Sequence, residues 1–286
     1  MRKKQIGVVV IVVAMMTYLI SLPVKGLIRP KEERTKPGAS SSAAPEQEVS
    51  SNINEEYVSS AAKKQLTSQM QAEISDKEAQ LQKATADAER LPIEKDLAKN
   101  WDDLNVPAPA AFYYLSAARK DNSLQSWLDA GNRFNDAYKL TQDTVAKPAF
   151  LLNAVESFKK ALVISPENLD AQTGLGIADV NGGAPSPMTG ISLLLGVVAK
   201  DPKNVKANLN LGLFSMKSGQ FEKAITRFKN VVEQKPELEP YFYLAESYKQ
   251  LGMKPEAITA YQKCKELAGD PAFNQKMDEY IKELKN

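Results

Sequence analysis

The stretch "LGLFSMKSGQFEKAI", residues 211–225, spaces its apolar side chains as a helix does, yet it sets Gly212 inside the first apolar run. Glycine in a helix interior costs about 1 kcal/mol relative to alanine, so a compensating contact is expected there. Self-comparison supplies the reason. Counted from Gly212, residues 205–237 place Leu211, Gly212, Gly219, Phe221, Ala224, Phe228, Val231 and Pro236 at fixed offsets. Residues 238–270 return Leu244, Ala245, Tyr248, Gly252, Ala257, Tyr261 and Cys264, with Pro271 shortly after. Two consecutive units in register are hard to obtain by chance.

The pattern extends towards the N-terminus with insertions. Residues 124–168 carry Trp127, Ala130-Gly131 and Phe134, then Ala154, Phe158, Ala161 and Pro166, around an extra "KLTQDTVAKPA". Residues 169–204 carry Leu175-Gly176, Gly190, Leu194, Val197 and Pro202, with two extra residues around "NGGAPSP". Leu97, Ala98, Trp101, Ala111, Leu115 and Ala118 form a degenerate unit over about 91–123.

These residues resemble the tetratricopeptide repeat family, whose unit of about 34 residues is a helix-turn-helix with an aromatic, L-G, a second aromatic, A, F and a closing P. The fold class implied is all-α, a helical-hairpin solenoid over residues 92–270. In such a unit the small residue lets two helices cross closely and the aromatics fill the space around the crossing. The packing set implied here is Trp127, Gly131, Ala154, Phe158, Gly176, Gly212, Ala224, Phe228, Ala245, Ala257 and Tyr261. Gly219 and Gly252 suit the turns between helices. After the repeats, Phe273, Met277, Tyr280, Ile281 and Leu284 line one face of a capping helix over 271–286.

The N-terminus is of another kind. Residues 6–24, "IGVVVIVVAMMTYLISLPV", are uncharged and span about 28 Å as a helix, close to a bilayer's hydrocarbon thickness. Arg2, Lys3 and Lys4 precede them and no A-x-A-like cleavage site follows, so residues 1–28 are expected to be an uncleaved transmembrane signal anchor. The chain as a whole thereby resembles single-span, membrane-anchored bacterial repeat proteins, with the C-terminal domain expected in the periplasm. Residues 29–54, rich in Pro, Ser, Ala and Glu, are expected to be a flexible tether. Val58, Ala62, Leu66, Met70, Ile74, Leu81, Ala84, Ala88 and Leu91 recur at helical spacing, which predicts one long amphipathic helix over 55–91.

Composition excludes much chemistry. The chain has no histidine and one cysteine, Cys264, which removes Ser-His and Cys-His catalysis, disulfides within the chain and Cys/His metal sites. Of 37 basic and 35 acidic residues, eight and two fall within residues 1–36, which leaves 29 and 33 beyond. An acidic body is a poor nucleic-acid binder. No catalytic, cofactor or metal residues are assigned, and an enzyme is not expected.

Partners are expected to be proteins or peptides. In the family resembled, the first helices of successive units line a concave groove. The positions carried over are Asn132, Ile177, Lys206, Leu209, Asn210, Leu213, Met216, Phe242, Tyr243 and Lys249. Their apolar middle suits an extended or helical peptide with apolar anchors. Leu128, Gly174 and Leu209 stand where the family's carboxylate clamp needs polar groups, so binding of an acidic C-terminal tail is not expected. The function implied is a membrane-anchored scaffold or adaptor, a chaperone-like accessory to an envelope assembly or secretion complex. The alternative is a structural tether that forms a homo-oligomer by coiled-coil pairing of the 55–91 helix.

Overall fold

The computed structural model describes residues 53–285, among which there are thirteen α-helices and no strand. The expected transmembrane span at residues 6–24 and nearly all of the expected tether lie outside the described residues. Among those described, no helix is long and apolar enough to cross a membrane.

The first three helices are α1 (Glu55–Lys63), α2 (Ser68–Lys83) and α3 (Asp87–Asp103). Helix α3 pairs with α4 (Pro107–Asp121) as the first of five hairpins, followed by α5 (Leu124–Leu140) with α6 (Lys147–Ile164), and α7 (Leu169–Ala178) with α8 (Pro187–Lys200). The series continues with α9 (Val205–Lys217) and α10 (Phe221–Gln234), α11 (Leu238–Gln250) and α12 (Lys254–Ala268), and the final α13 (Pro271–Lys285). From α2 onward each helix packs on its successor, while α1 packs on α4. Helices α5, α7, α9 and α11 also touch in turn, so these first helices form an inner layer.

Local chemistry sets the ends. Ser123, Asn168, Ser186 and Asn204 cap α5, α7, α8 and α9 by accepting from a backbone N–H two or three residues on. Proline occupies the first turn of α4, α6, α8 and α12, where its missing N–H costs nothing. Gly219 and Gly252 turn the chain with φ of 73° and 69°, and a Cβ on either would meet nothing within 4 Å. Backbone conformation, not crowding, requires glycine at these two.

The long helix expected over 55–91 is instead broken twice. Thr67 caps α2, and Ala84 leaves it extended with ψ of 126° while the Arg90 guanidinium donates to the Leu81 and Ala84 carbonyls. The expected end at residue 91 is also absent, because α3 runs on through Pro92 to Asp103, held by buried Leu97, Ala98 and Trp101. The apolar stripe is used within the chain. Val58 packs with Phe112 and Leu115, whereas Ile74 and Leu81 pack with Leu97, Trp101 and Tyr113.

The core runs along the solenoid as a string of clusters. One joins α1 with α4 to α7, one lies under α2 to α4, one joins α7, α8 and α9, and one runs from α9 to α13. The insertion at residues 139–149 lengthens α5 and α6 and leaves a short turn, in which Asp143 accepts from Val145 and Ala146 N–H. The extra residues near 181 form a π-turn, Asp179–Gly183, with Gly182 at φ 121°.

Candidate functional site

Crossing contacts fix the inner layer. A Cβ on Gly212 would lie 2.6 Å from the Phe228 ring, so this glycine is where α9 and α10 cross. Gly131 meets Phe158 in the same way at 2.7 Å, and Gly176 meets Leu194 at 2.9 Å. Sequence reading did not assign a packing role to Gly174, where a Cβ would sit only 2.1 Å from the Phe158 ring. Phe158 is thus held between glycines of successive units. Ala154, Ala224, Ala245, Ala257, Phe228 and Tyr261 are fully buried, and Trp127 is nearly so, with its indole N–H donating to Asn122 Oδ1 at 2.8 Å.

The proposed groove positions divide into two groups. Leu209, Leu213 and Met216 of α9 and Phe242 and Tyr243 of α11 are half-buried, packed on the C-terminal core cluster with one side open. Tyr243 stacks on Phe228 with centroids 5.6 Å apart, and Phe242 meets both Tyr243 and Tyr261 edge-on. Ile177 differs: it is buried with Leu194, Val197, Ala207 and Leu211 and offers a ligand nothing.

The polar positions are engaged with one another. Lys206 Nζ donates to Asn132 Oδ1 at 2.6 Å, reaching from α9 to α5 across α7. Asn210 Nδ2 donates to the Lys206 carbonyl at 2.8 Å. Lys139 of α5 reaches Glu239 of α11 at 3.2 Å, and Tyr243 donates to the same carboxylate oxygen at 3.0 Å. Bridges between helices that are not successive require the inner layer to be strongly curved. Lys249 lies over the Tyr280 ring at 5.0 Å and 4.0 Å from Glu283, near the C-terminal cap.

Electrostatics follow from these placements. Lys206 is exposed as a residue, yet loss of water around its ammonium holds it below the ordinary lysine range, against the pull of Asp136 and Asp170. Burial and Glu239 push the Tyr243 phenol up to about 12, so it is a donor at any physiological pH. Cys264 is buried and burial pushes its thiol up to about 12, which suits packing and not nucleophilic attack. Among the described residues no group of His, Cys, Asp or Glu could hold a metal ion.

The inner face therefore presents an apolar strip on α9 and α11 beside a bridged polar strip on α5. A cleft of about 290 Å³ opens at the α5 end, lined by Asp102, Arg133, Asp136 and Lys139. Its charges are paired: Arg133 lies 2.7 Å from Asp102 and 2.8 Å from Asp136.

The tetratricopeptide repeat model matches residues 241–270, within the α11–α12 hairpin and the turn after it. A thermophilic tetratricopeptide repeat protein of Thermus thermophilus superposes with a TM-score of 0.50 at 18% identity, over 68% of this chain and 98% of its own. MamA gives a TM-score of 0.44 at 22% identity over 59% and 92% of the two chains. YrrB, described as a repeat protein with an unusual peptide-binding site, gives 0.42 at 20% identity over 65% and 91%. No curated protein sequence matches the chain. The likeness to the Thermus protein is one of fold.

Proposed function

We propose that this all-α tetratricopeptide-type solenoid is a membrane-anchored adaptor that takes a segment of another protein on the inner face of α9 and α11. The observation that carries the reading is the half-buried strip of Leu209, Leu213, Met216 and Phe242 on neighbouring first helices. Covering such apolar surface is favourable by roughly 25 cal/mol per Å². The ligand's backbone would reach Lys206 or Asn132 only by displacing the bond between them, so apolar anchors supply the affinity and those groups the orientation. In this reading residues 6–24 hold the solenoid at a bacterial inner membrane, with the repeats in the periplasm, as an accessory to an envelope assembly or secretion complex.

Cross-linking in native membranes tests the groove: Leu213→Arg is expected to lose the partners captured by the parent chain while far-UV circular dichroism stays unchanged. An unaltered partner set with the fold intact would sink it. Topology is read by a phosphatase fused after Asn286, expected to be active when exported; activity confined to the cytoplasm reverses the orientation. Self-assembly through residues 55–91 is disfavoured, because Val58, Ile74 and Leu81 are already buried within the chain.

A further inference from the structure

The outer helices of the solenoid are not alike. On α10 the exposed side chains include Glu222, Lys223, Lys229 and Glu233, and on α12 they include Lys254, Glu256, Lys263 and Glu266. The corresponding α8 has no charged residue from Pro187 to Ala199 and turns Met188 and Leu195 outward, 60% and 43% exposed. Helix α6, which like α8 packs on α7 and on the turn Asp179–Gly183, adds Leu152 and Val163, 54% and 80% exposed, on the same face as Lys159 because these positions are seven and four residues apart. Exposed apolar side chains grouped in this way mark an interaction surface.

The charges on this face are biased. Glu156 and Glu167, its acidic members, are turned to Arg119 and Lys200. Lys159 and Lys160 are exposed and join no ion pair among the described residues. The chain reaches the solenoid at the edge of the same face, since buried Ile53 shares a cleft of about 350 Å³ with Leu152 and Ala149.

We propose that the outer face of α6 and α8 docks on an anionic lipid surface, its apolar side chains entering the headgroup boundary and Lys159 and Lys160 meeting lipid phosphates. Lipid suits the surface better than a protein does. The apolar residues project from a convex layer, and lysines among apolar side chains match a fluid, negatively charged boundary that needs no shape complement. The proposal rests on the anchor reading above, because an anchored chain meets its bilayer at high effective concentration and a weak face then suffices.

The test uses the full chain reconstituted in vesicles. Cys264 is buried and its thiol raised, so Leu195→Cys takes a polarity-sensitive thiol dye selectively, and Thr226→Cys on α10 is the control. In vesicles of equal parts phosphatidylcholine and phosphatidylserine the dye at 195 is expected to shift to the blue, and the dye at 226 is not. The shift should vanish in pure phosphatidylcholine, in about 1 M salt, where the screening length falls to about 3 Å, and with Lys159→Glu and Lys160→Glu together. Circular dichroism of each variant checks the fold. A dye at 195 that ignores phosphatidylserine overturns the proposal. So does a lipid-independent shift accompanied by disulfide-linked dimers of unlabelled Leu195→Cys, which assigns the face to a second copy. Carbonate washing of the same vesicles reads the anchor separately: chain retained in the pellet without a blue shift means that the anchor stands and the lipid face falls.

Discussion

Helices α3 and α4 meet across a buried carboxylate, whereas α5 and α6 meet across a ring. Glu94 of α3 is wholly buried, accepts from Ser116 and Lys120 of α4 at 2.9 Å each, and lies 3.6 Å from Arg90. Its second oxygen has no partner. Nearby, Glu78 of α2 accepts from Tyr113, Ser59 and Lys63. In the next hairpin the fully buried group is Phe158 of α6, pressed against Gly131 and Gly174. A ring in a glycine slot is held by contact in every direction and contains no group whose loss of water must be offset. The carboxylate holds only while its cations stay. The difference predicts that the first region is weakened most by removing one partner of the carboxylate, and the second by filling the slot that holds the ring.

The largest effect is expected at Lys120. Lys120→Met leaves Glu94 buried with Arg90 at 3.6 Å as its nearest cation, and breaking a buried pair in this way costs about 3 kcal/mol. Replacing both ends, Glu94→Leu with Lys120→Met, should recover most of that loss, since no charge then remains buried. Urea midpoints of parent, single and double variants measure it. A double variant no better than the single would show that the carboxylate does more than neutralise its neighbours.

On the ring side, Gly174→Val is expected to cost about 2–3 kcal/mol, because Phe158 cannot move away without striking Gly131. Gly212→Val should cost less, its contact with Phe228 being 2.6 Å where Gly174 has 2.1 Å. Gly196→Ala, on α8 with nothing within 4 Å, should stabilise by about 0.5–1 kcal/mol through helix propensity alone. Equal losses at all three would break the claim that close crossing, not glycine itself, is what the repeats require.

The same contrast explains what the sequence could reveal. A ring and a small residue must recur at fixed offsets wherever two helices cross, so Gly212 with Phe228 and Ala245 with Tyr261 were legible from spacing. Gly174 was not, because the residue type at its position varies between units: the residue two before the crossing point is Gly174, Asn210 or Tyr243, and the last stacks on Phe228 where the first makes room for Phe158. The contacts that Glu78 and Glu94 receive from other helices join residues 15 to 35 apart with no period, as in Lys63 with Glu78 and Tyr113 with Glu78, and periodicity carries no trace of them. Breaks at 64–67 and 84–86 were hidden for a related reason, since the apolar stripe keeps helical spacing across both turns. In the groove, residue type marked Leu213 and Met216 as apolar on the inner layer, but the bond from Lys206 to Asn132 depends on curvature, which no single unit encodes.

The smallest effect belongs to Glu55, where α1 touches the charged region. Burial raises its carboxyl above the ordinary glutamate range, the charge of Glu94 raises it further, and a backbone hydrogen bond with Lys120 and Arg90 opposes them. A carboxyl raised in the folded state binds its proton more readily there than in the unfolded chain. Its contribution to stability is therefore fully present below the unfolded value, near 4.5, and is lost as pH rises through the folded one. Glu55→Gln removes that loss. The variant should match the parent at about pH 4 and exceed it by less than about 1 kcal/mol at about pH 7, a limit set by partial solvent screening. Denaturation at the two pH values measures the difference, and the pair Glu55→Gln with Glu94→Leu sharpens it. With the Glu94 charge gone, the advantage of Glu55→Gln should shrink, since burial is then opposed by the backbone hydrogen bond, Lys120 and Arg90 with no second carboxylate beside it. If it does not shrink, the two carboxylates are not coupled, and α1 is held on α4 by Ile53 and Val58 without regard to charge.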